Sequence, residues 1–169
     1  KSLAPTDEVI VVSLRSHEPE TPSGGDKNQL KVYPSCFYRS AFAWQVRDVL
    51  AGIAEAQARP GIGLRLVGLG GAGLAALYAR GIAAANARIT MTVIDLSGAP
   101  AEETYHPSMG RIGGWRTAAM LAEPGRMILH GKALDGQPIQ AAYRAAGRDG
   151  ALEIHEATLT GERILELLK

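Results

Sequence analysis

A parallel α/β fold is the class this sequence predicts, on three observations. Short runs of β-branched and aliphatic residues alternate along the chain with longer segments whose apolar residues recur at helical spacing. The runs are continuously apolar rather than alternating, as strands buried on both faces of a parallel sheet must be. A cluster of glycines joins one of these runs directly to an alanine-rich helical segment. Together they predict one domain over residues 1–169: a parallel sheet of about five strands, with helices on both faces and right-handed crossovers.

The elements follow in order. Residues 9–14 (VIVVSL) read as the first strand. Residues 15–40 carry Pro19, Pro22, Gly24, Gly25 and Pro34 among polar side chains and read as a long surface loop. From Ala41, the residues Phe42, Val46, Val49, Leu50 and Ile53 mark a helix that runs to Ala58 and stops at Pro60 and Gly61. A second strand, 64–69, enters the glycine cluster and gives way to a helix over 74–87, where alanine is the best helix former. Then come a strand at 89–96, a loop past Pro100 and Pro107, a helix at 115–121 and a strand at 127–129. A helix at 139–146, a strand at 152–155 and a helix at 161–168 complete the pattern.

Composition narrows the function. With 169 residues and 46% hydrophobic side chains, the chain can bury one sizeable core. Lys plus Arg number 18 against 17 Asp plus Glu, so no basic surface excess points to nucleic acid. No apolar run approaches the roughly 18–20 residues of a membrane span, and a soluble protein is expected. Cys36, the single cysteine, excludes an internal disulfide and a cysteine-rich zinc site. His17, His106, His130 and His155 are scattered, with no ligand spacing, so no metal is expected. The chain opens at Lys1 without methionine or a signal-like segment, which reads as a processed or excised piece of something longer.

The glycine turn carries two meanings. Residues 68–73 (GLGGAG) satisfy G-x-G-x-x-G through Gly68, Gly70 and Gly73, between a predicted strand and a helix. Asp95 closes the next strand at the roughly 20-residue interval the dinucleotide fingerprint requires. On that reading the backbone N–H groups receive a pyrophosphate of NAD(P) or FAD and Asp95 a ribose hydroxyl. Against it, a strand, a loop and a helix precede the motif, whereas the fingerprint usually opens its domain.

The alternative aligns the same turn with the nucleophile elbow G-x-S-x-G, Gly68 taking the first position and Gly70 the place of serine. Tyr38 to Ser40, the helix through Gln45, Val46, Arg47, Asp48, Val49 and Leu50, the turn 67–73 (VGLGGAG), and Ile94-Asp95-Leu96 support it. With these residues the chain resembles the C-terminal α/β-hydrolase-like part of bacterial proteins related to acetyl xylan esterases and dienelactone hydrolases. The resemblance covers most of the chain from about residue 9 and implies the second half of the α/β-hydrolase fold. In active relatives it implies carbohydrate ester hydrolysis, and with it an extracytoplasmic location.

Gly70 departs from the active pattern, because without a hydroxyl it forms no acyl-enzyme. Asp135 stands where the family's triad acid often lies, although its Asp-Gly context equally suits a solvated turn. The base should follow the last strand, yet His155 falls within that strand and no histidine comes after it. Ser108, in His106-Pro107-Ser108-Met109-Gly110, echoes an esterase motif but lacks a preceding strand. Gly125 with Gly131-Lys132 fails as a phosphate loop, because the interval is one residue too long and Ala133 replaces the magnesium-binding hydroxyl. Phe42, Trp44, Trp115 and Tyr143 read as core or interface anchors rather than a sugar-stacking platform.

The expectation is therefore a non-catalytic hydrolase-like domain without a cofactor, in a structural or substrate-positioning role. A nucleotide-binding Rossmann-like domain, or an active esterase using other residues, stands as the alternative. The family's sheet order adds a partner. A strand that comes earlier in the chain separates run 9–14 from strand 64–69, and only eight residues precede Val9. A second polypeptide, or the N-terminal part of the same precursor, is expected to complete the sheet.

Overall fold

A computed structural model describes residues 8–14, 40–60, 63–83, 88–98, 109–123, 125–132 and 134–168. The predicted loop at 15–40 lies outside them except for Ser40, as do Cys36, His17, His106 and Ser108.

Among the described residues four strands form one sheet: β1 (Leu64–Gly68), β2 (Ile89–Asp95), β3 (Arg126–His130) and β4 (Leu152–His155). They are all parallel and lie in chain order, β1-β2-β3-β4. Five described α-helices connect and flank them: α1 (Ala41–Ala58), α2 (Gly71–Ala83), α3 (Gly114–Leu121), α4 (Gln137–Ala145) and α5 (Gly161–Leu167). The parallel α/β class and the helix-and-strand succession agree with the sequence reading. Among the described residues the sheet has four strands against the expected five or so, because residues 9–14 form none. An apolar, β-branched run becomes a strand only when a neighbour accepts and donates its backbone hydrogen bonds. Among the described residues this run has none.

The period-two alternation of the strands assigns the helices to faces. Ile94, Met127 and Leu129 join one core with Val46, Leu77, Ala119, Ile139 and other residues of α1 to α4. Val93 and Ile128, their neighbours in sequence, point the other way, into a smaller cluster with Leu159, Leu167 and Ile164. Helices α1 to α4 thus form one layer, and α5 covers part of the opposite face. Val93, Ile94, Ile128 and Leu129 are fully buried, which stabilises each by roughly 1.5–3 kcal/mol.

Small residues let the layers approach. A Cβ at Gly68 would lie 2.6 Å from that of Ala76, and one at Gly81 would lie 2.8 Å from the Ala118 carbonyl oxygen of α3. Helix α1 begins where the Ser40 side chain accepts a hydrogen bond from the Ala43 amide (3.1 Å). Arg80, near the end of α2, and Tyr143 of α4 are buried charged and phenolic groups of this layer. Burial lowers the pKa of Arg80, opposed by Tyr143 and Glu123, and pushes that of Tyr143 up to about 12.

Candidate functional site

The carboxyl end of a parallel sheet is where α/β proteins gather their chemistry, because every βα turn emerges there. Here that end holds the glycine turn, Asp95, His130 and His155.

The turn is tight and bare. Strand β1 ends at Gly68, Gly70 has φ +54°, and α2 begins at Gly71. Two of its amides are committed locally: Ala72 donates to the Leu69 carbonyl and Gly73 to that of Gly70, both at 3.0 Å. A Cβ at Gly73 would collide with the Asp95 carbonyl oxygen, so only glycine allows α2 to lie this close to β2. At Gly70 a Cβ would meet nothing within 4 Å, so the apex is sterically open and chemically empty. Gly98 packs against it, 3.3 Å from the Gly70 Cα when given a Cβ, and lays the loop after β2 on the turn.

Asp95 is 5% exposed, and its Oδ1 accepts a hydrogen bond from the Ser97 amide (2.8 Å). Asp95 pairs in register with His130, and His130 with His155. All three therefore project from one face, the face that also carries Val93 and Ile128. The His130 ring is buried and donates through Nδ1 to the Ala157 carbonyl (2.8 Å). It stacks on His155 with centroids 4.8 Å apart and planes at 25°. His155 Nε2 lies 3.4 Å from Glu153 Oε2, and Arg126 Nε donates to Glu153 Oε1 at 3.1 Å. The hydrogen bonds from Arg126 first, and His155 to a lesser extent, lower the pKa of Glu153 against the partial burial that opposes them.

Along the sequence the histidines are scattered. The signal that brings two of them together is the end of each strand: β3 extends to His130, one residue beyond the predicted run, and β4 ends at His155. In adjacent parallel strands those two ends are neighbours.

The other expected positions separate. Asp135 pairs with Arg116 (3.6 Å), its Oδ1 accepts a bond from the Gln137 amide at the start of α4, and its side chain is 57% exposed. That is a turn and helix-start role. Gly125 and Gly131 flank β3 at opposite ends, so they cannot cradle one phosphate. Phe42 and Tyr143 are buried, Phe42 edge-on to Tyr78 at 5.3 Å. Trp44 and Trp115 are half-buried on separate helices, each under an arginine, Arg47 at 4.9 Å and Arg116 at 4.8 Å. No group of His, Cys, Asp and Glu suited to a metal ion occurs among the described residues. None of the described helices is long and apolar enough to cross a membrane. Among known proteins, no family model matches this chain and no curated protein matches it.

Proposed function

We propose that the chain is a non-catalytic α/β-hydrolase-like domain, related to acetyl xylan esterases and dienelactone hydrolases, whose role is structural. One observation carries the reading. The turn from β1 to α2 has the sharp strand-to-helix form of a nucleophile elbow, and the residue at its apex is Gly70, at φ +54° and without a side chain. The sequential strand order, with four helices on one face and the last on the other, suits the second half of that fold. A nucleophilic serine mechanism at this turn has no attacking atom, and Asp135 is engaged by Arg116. The same reading implies that another polypeptide segment completes the sheet beside β1.

The nucleotide-binding alternative keeps one observation in its favour. Gly73 lies against Asp95 of the adjacent parallel strand, as the third glycine of the dinucleotide fingerprint does for close helix packing. One other weighs against it: Asp95 Oδ1 already accepts a hydrogen bond from the Ser97 amide.

Assays with a chromogenic short-chain ester should show no hydrolysis above the uncatalysed rate, and titrations with NAD, NADP and FAD no binding. Ester hydrolysis abolished by Ser108→Ala would replace this reading with an active esterase. Saturable NAD binding weakened by Asp95→Ala would replace it with the nucleotide domain.

A further inference from the structure

We infer that the guanidinium of Arg80 and the hydroxyl of Tyr143 hold a small monovalent anion inside the helical layer, near the amino end of the sheet. The site goes beyond the scaffold reading above and shares no residue with it. Arg80 lies about 15 Å further along α2 than the glycine turn.

Arg80 stands in the last turn of α2 and is only 1% exposed, and Tyr143 of α4 is fully buried. Such burial is ordinary for a tyrosine ring but costly for a guanidinium, which loses its hydration and is compensated only by acceptors and opposite charge. Arg80 Nε, Arg80 Nη1 and Tyr143 Oη are all buried without a hydrogen-bond partner. No carboxylate among the described residues forms an ion pair with Arg80. Glu123, the acid whose charge acts on both Arg80 and Tyr143, is drawn instead to Arg148 at 3.8 Å, with its side chain 29% exposed.

The surroundings fix the guanidinium where it is. A Cβ at Gly125 would lie 2.8 Å from Arg80 Nη2 and 3.0 Å from the Ile89 carbonyl oxygen, so glycine at this position leaves the cation its place beside the first residues of β2 and β3. Gly125 itself is only half-buried, which sets the guanidinium one residue below the surface. Burial pushes the Tyr143 pKa up to about 12 although the Arg80 charge pulls it down, so at neutral pH the phenol is a hydrogen-bond donor within the field of the guanidinium.

A cation and a phenolic donor without an acceptor define their complement, a negatively charged acceptor. Water or a neutral ligand would satisfy hydrogen bonds and leave the charge uncompensated. A single negative charge balances Arg80, whereas a divalent anion would bring an excess charge into a core shared with Ala122, Met127 and Ile139. Chloride and formate have the required charge and size.

Titration of the whole chain with each of these anions tests the inference, at an ionic strength held constant with gluconate, which is too large to be buried there. The unfolding midpoint of the wild type should rise and saturate. Arg80→Met, which replaces the buried charge by an apolar side chain of similar length, should be at least as stable as the wild type in gluconate and less stable at saturating chloride. Tyr143→Phe should weaken the apparent chloride affinity about fivefold, the worth of one hydrogen bond. The chloride NMR resonance should broaden on adding wild-type protein and narrow again when formate competes, a readout that does not depend on how Arg80→Met folds. A response of equal size in the wild type and Arg80→Met is a general salt effect and overturns the inference. So does a chloride resonance that the wild type leaves sharp. A wild type without a saturable response, together with a Glu123→Gln variant as destabilised as Arg80→Met, would make Glu123 the counter-charge instead.

Discussion

At the scale of single residues, Gly70 and Gly73 separate two demands that one glycine-rich string hides. Gly70 needs a left-handed backbone but has free space, whereas Gly73 needs the space itself. Gly70→Ser should therefore fold with a loss of about 1–2 kcal/mol, the cost of a side chain in the left-handed region, and gain no esterase activity. Gly73→Ala drives a methyl into the Asp95 carbonyl and should cost about 3 kcal/mol or more, read by chemical denaturation. Tyr143 makes a pH prediction. Its folded pKa of about 12 exceeds the ordinary value of 10, so the folded state keeps its proton after the unfolded state has lost it. Its stabilising contribution is complete below pH 10 and falls as pH rises towards 12, by about 2–3 kcal/mol over the whole range. Denaturation midpoints across that window should flatten in Tyr143→Phe. The glycines, Asp95 and Asp135 were visible in the sequence as candidates. The stacked His130 and His155 were not, because 25 residues separate them and only register makes them neighbours.

Elements followed the periodicity closely wherever a neighbour could satisfy them. The helix expected over 41–58 is α1, capped by Ser40, and the strand expected over 152–155 is β4. Run 9–14 failed as a strand although it is among the most β-prone stretches of the chain, since propensity describes fit to a pleated surface and supplies no hydrogen-bonding partner. Gly52 is the contact that holds it to α1. In Gly52→Ala the helix gains roughly 1 kcal/mol of intrinsic propensity, while the new methyl displaces Val12. Unchanged helical circular dichroism with faster proteolysis within residues 8–14 is the expected result. Equal proteolysis rates would show that Val12 is not held by this contact.

At the scale of the whole molecule, the sheet is covered unevenly: four helices lie on one face and α5 alone lies on the other among the described residues. The thinly covered face carries the chain Arg126, Glu153, His155 and His130, which ties β3 to β4. Glu153 has a folded pKa below its ordinary value, chiefly through Arg126, so its contribution is present above the usual carboxylate range near 4.3 and is lost as pH falls through the lowered folded value. Followed by tryptophan fluorescence, Glu153→Gln should be less stable than the wild type at neutral pH, and its stability should fall less steeply as the pH is lowered through the carboxylate range. An identical acid slope in both would remove Glu153 from the account.

The parallel α/β class, the order of the helices and the side-chain-free apex at Gly70 were determined by sequence alone, because apolar period and the absence of a side chain are local properties. Tertiary structure decided what depends on neighbours across the sheet. It withheld strand geometry from residues 9–14, engaged Asp135 with Arg116, seated Gly98 on the glycine turn and joined His130 to His155. Each is a contact between residues distant in sequence, and such contacts are fixed by strand register and helix packing, which no window along the chain contains.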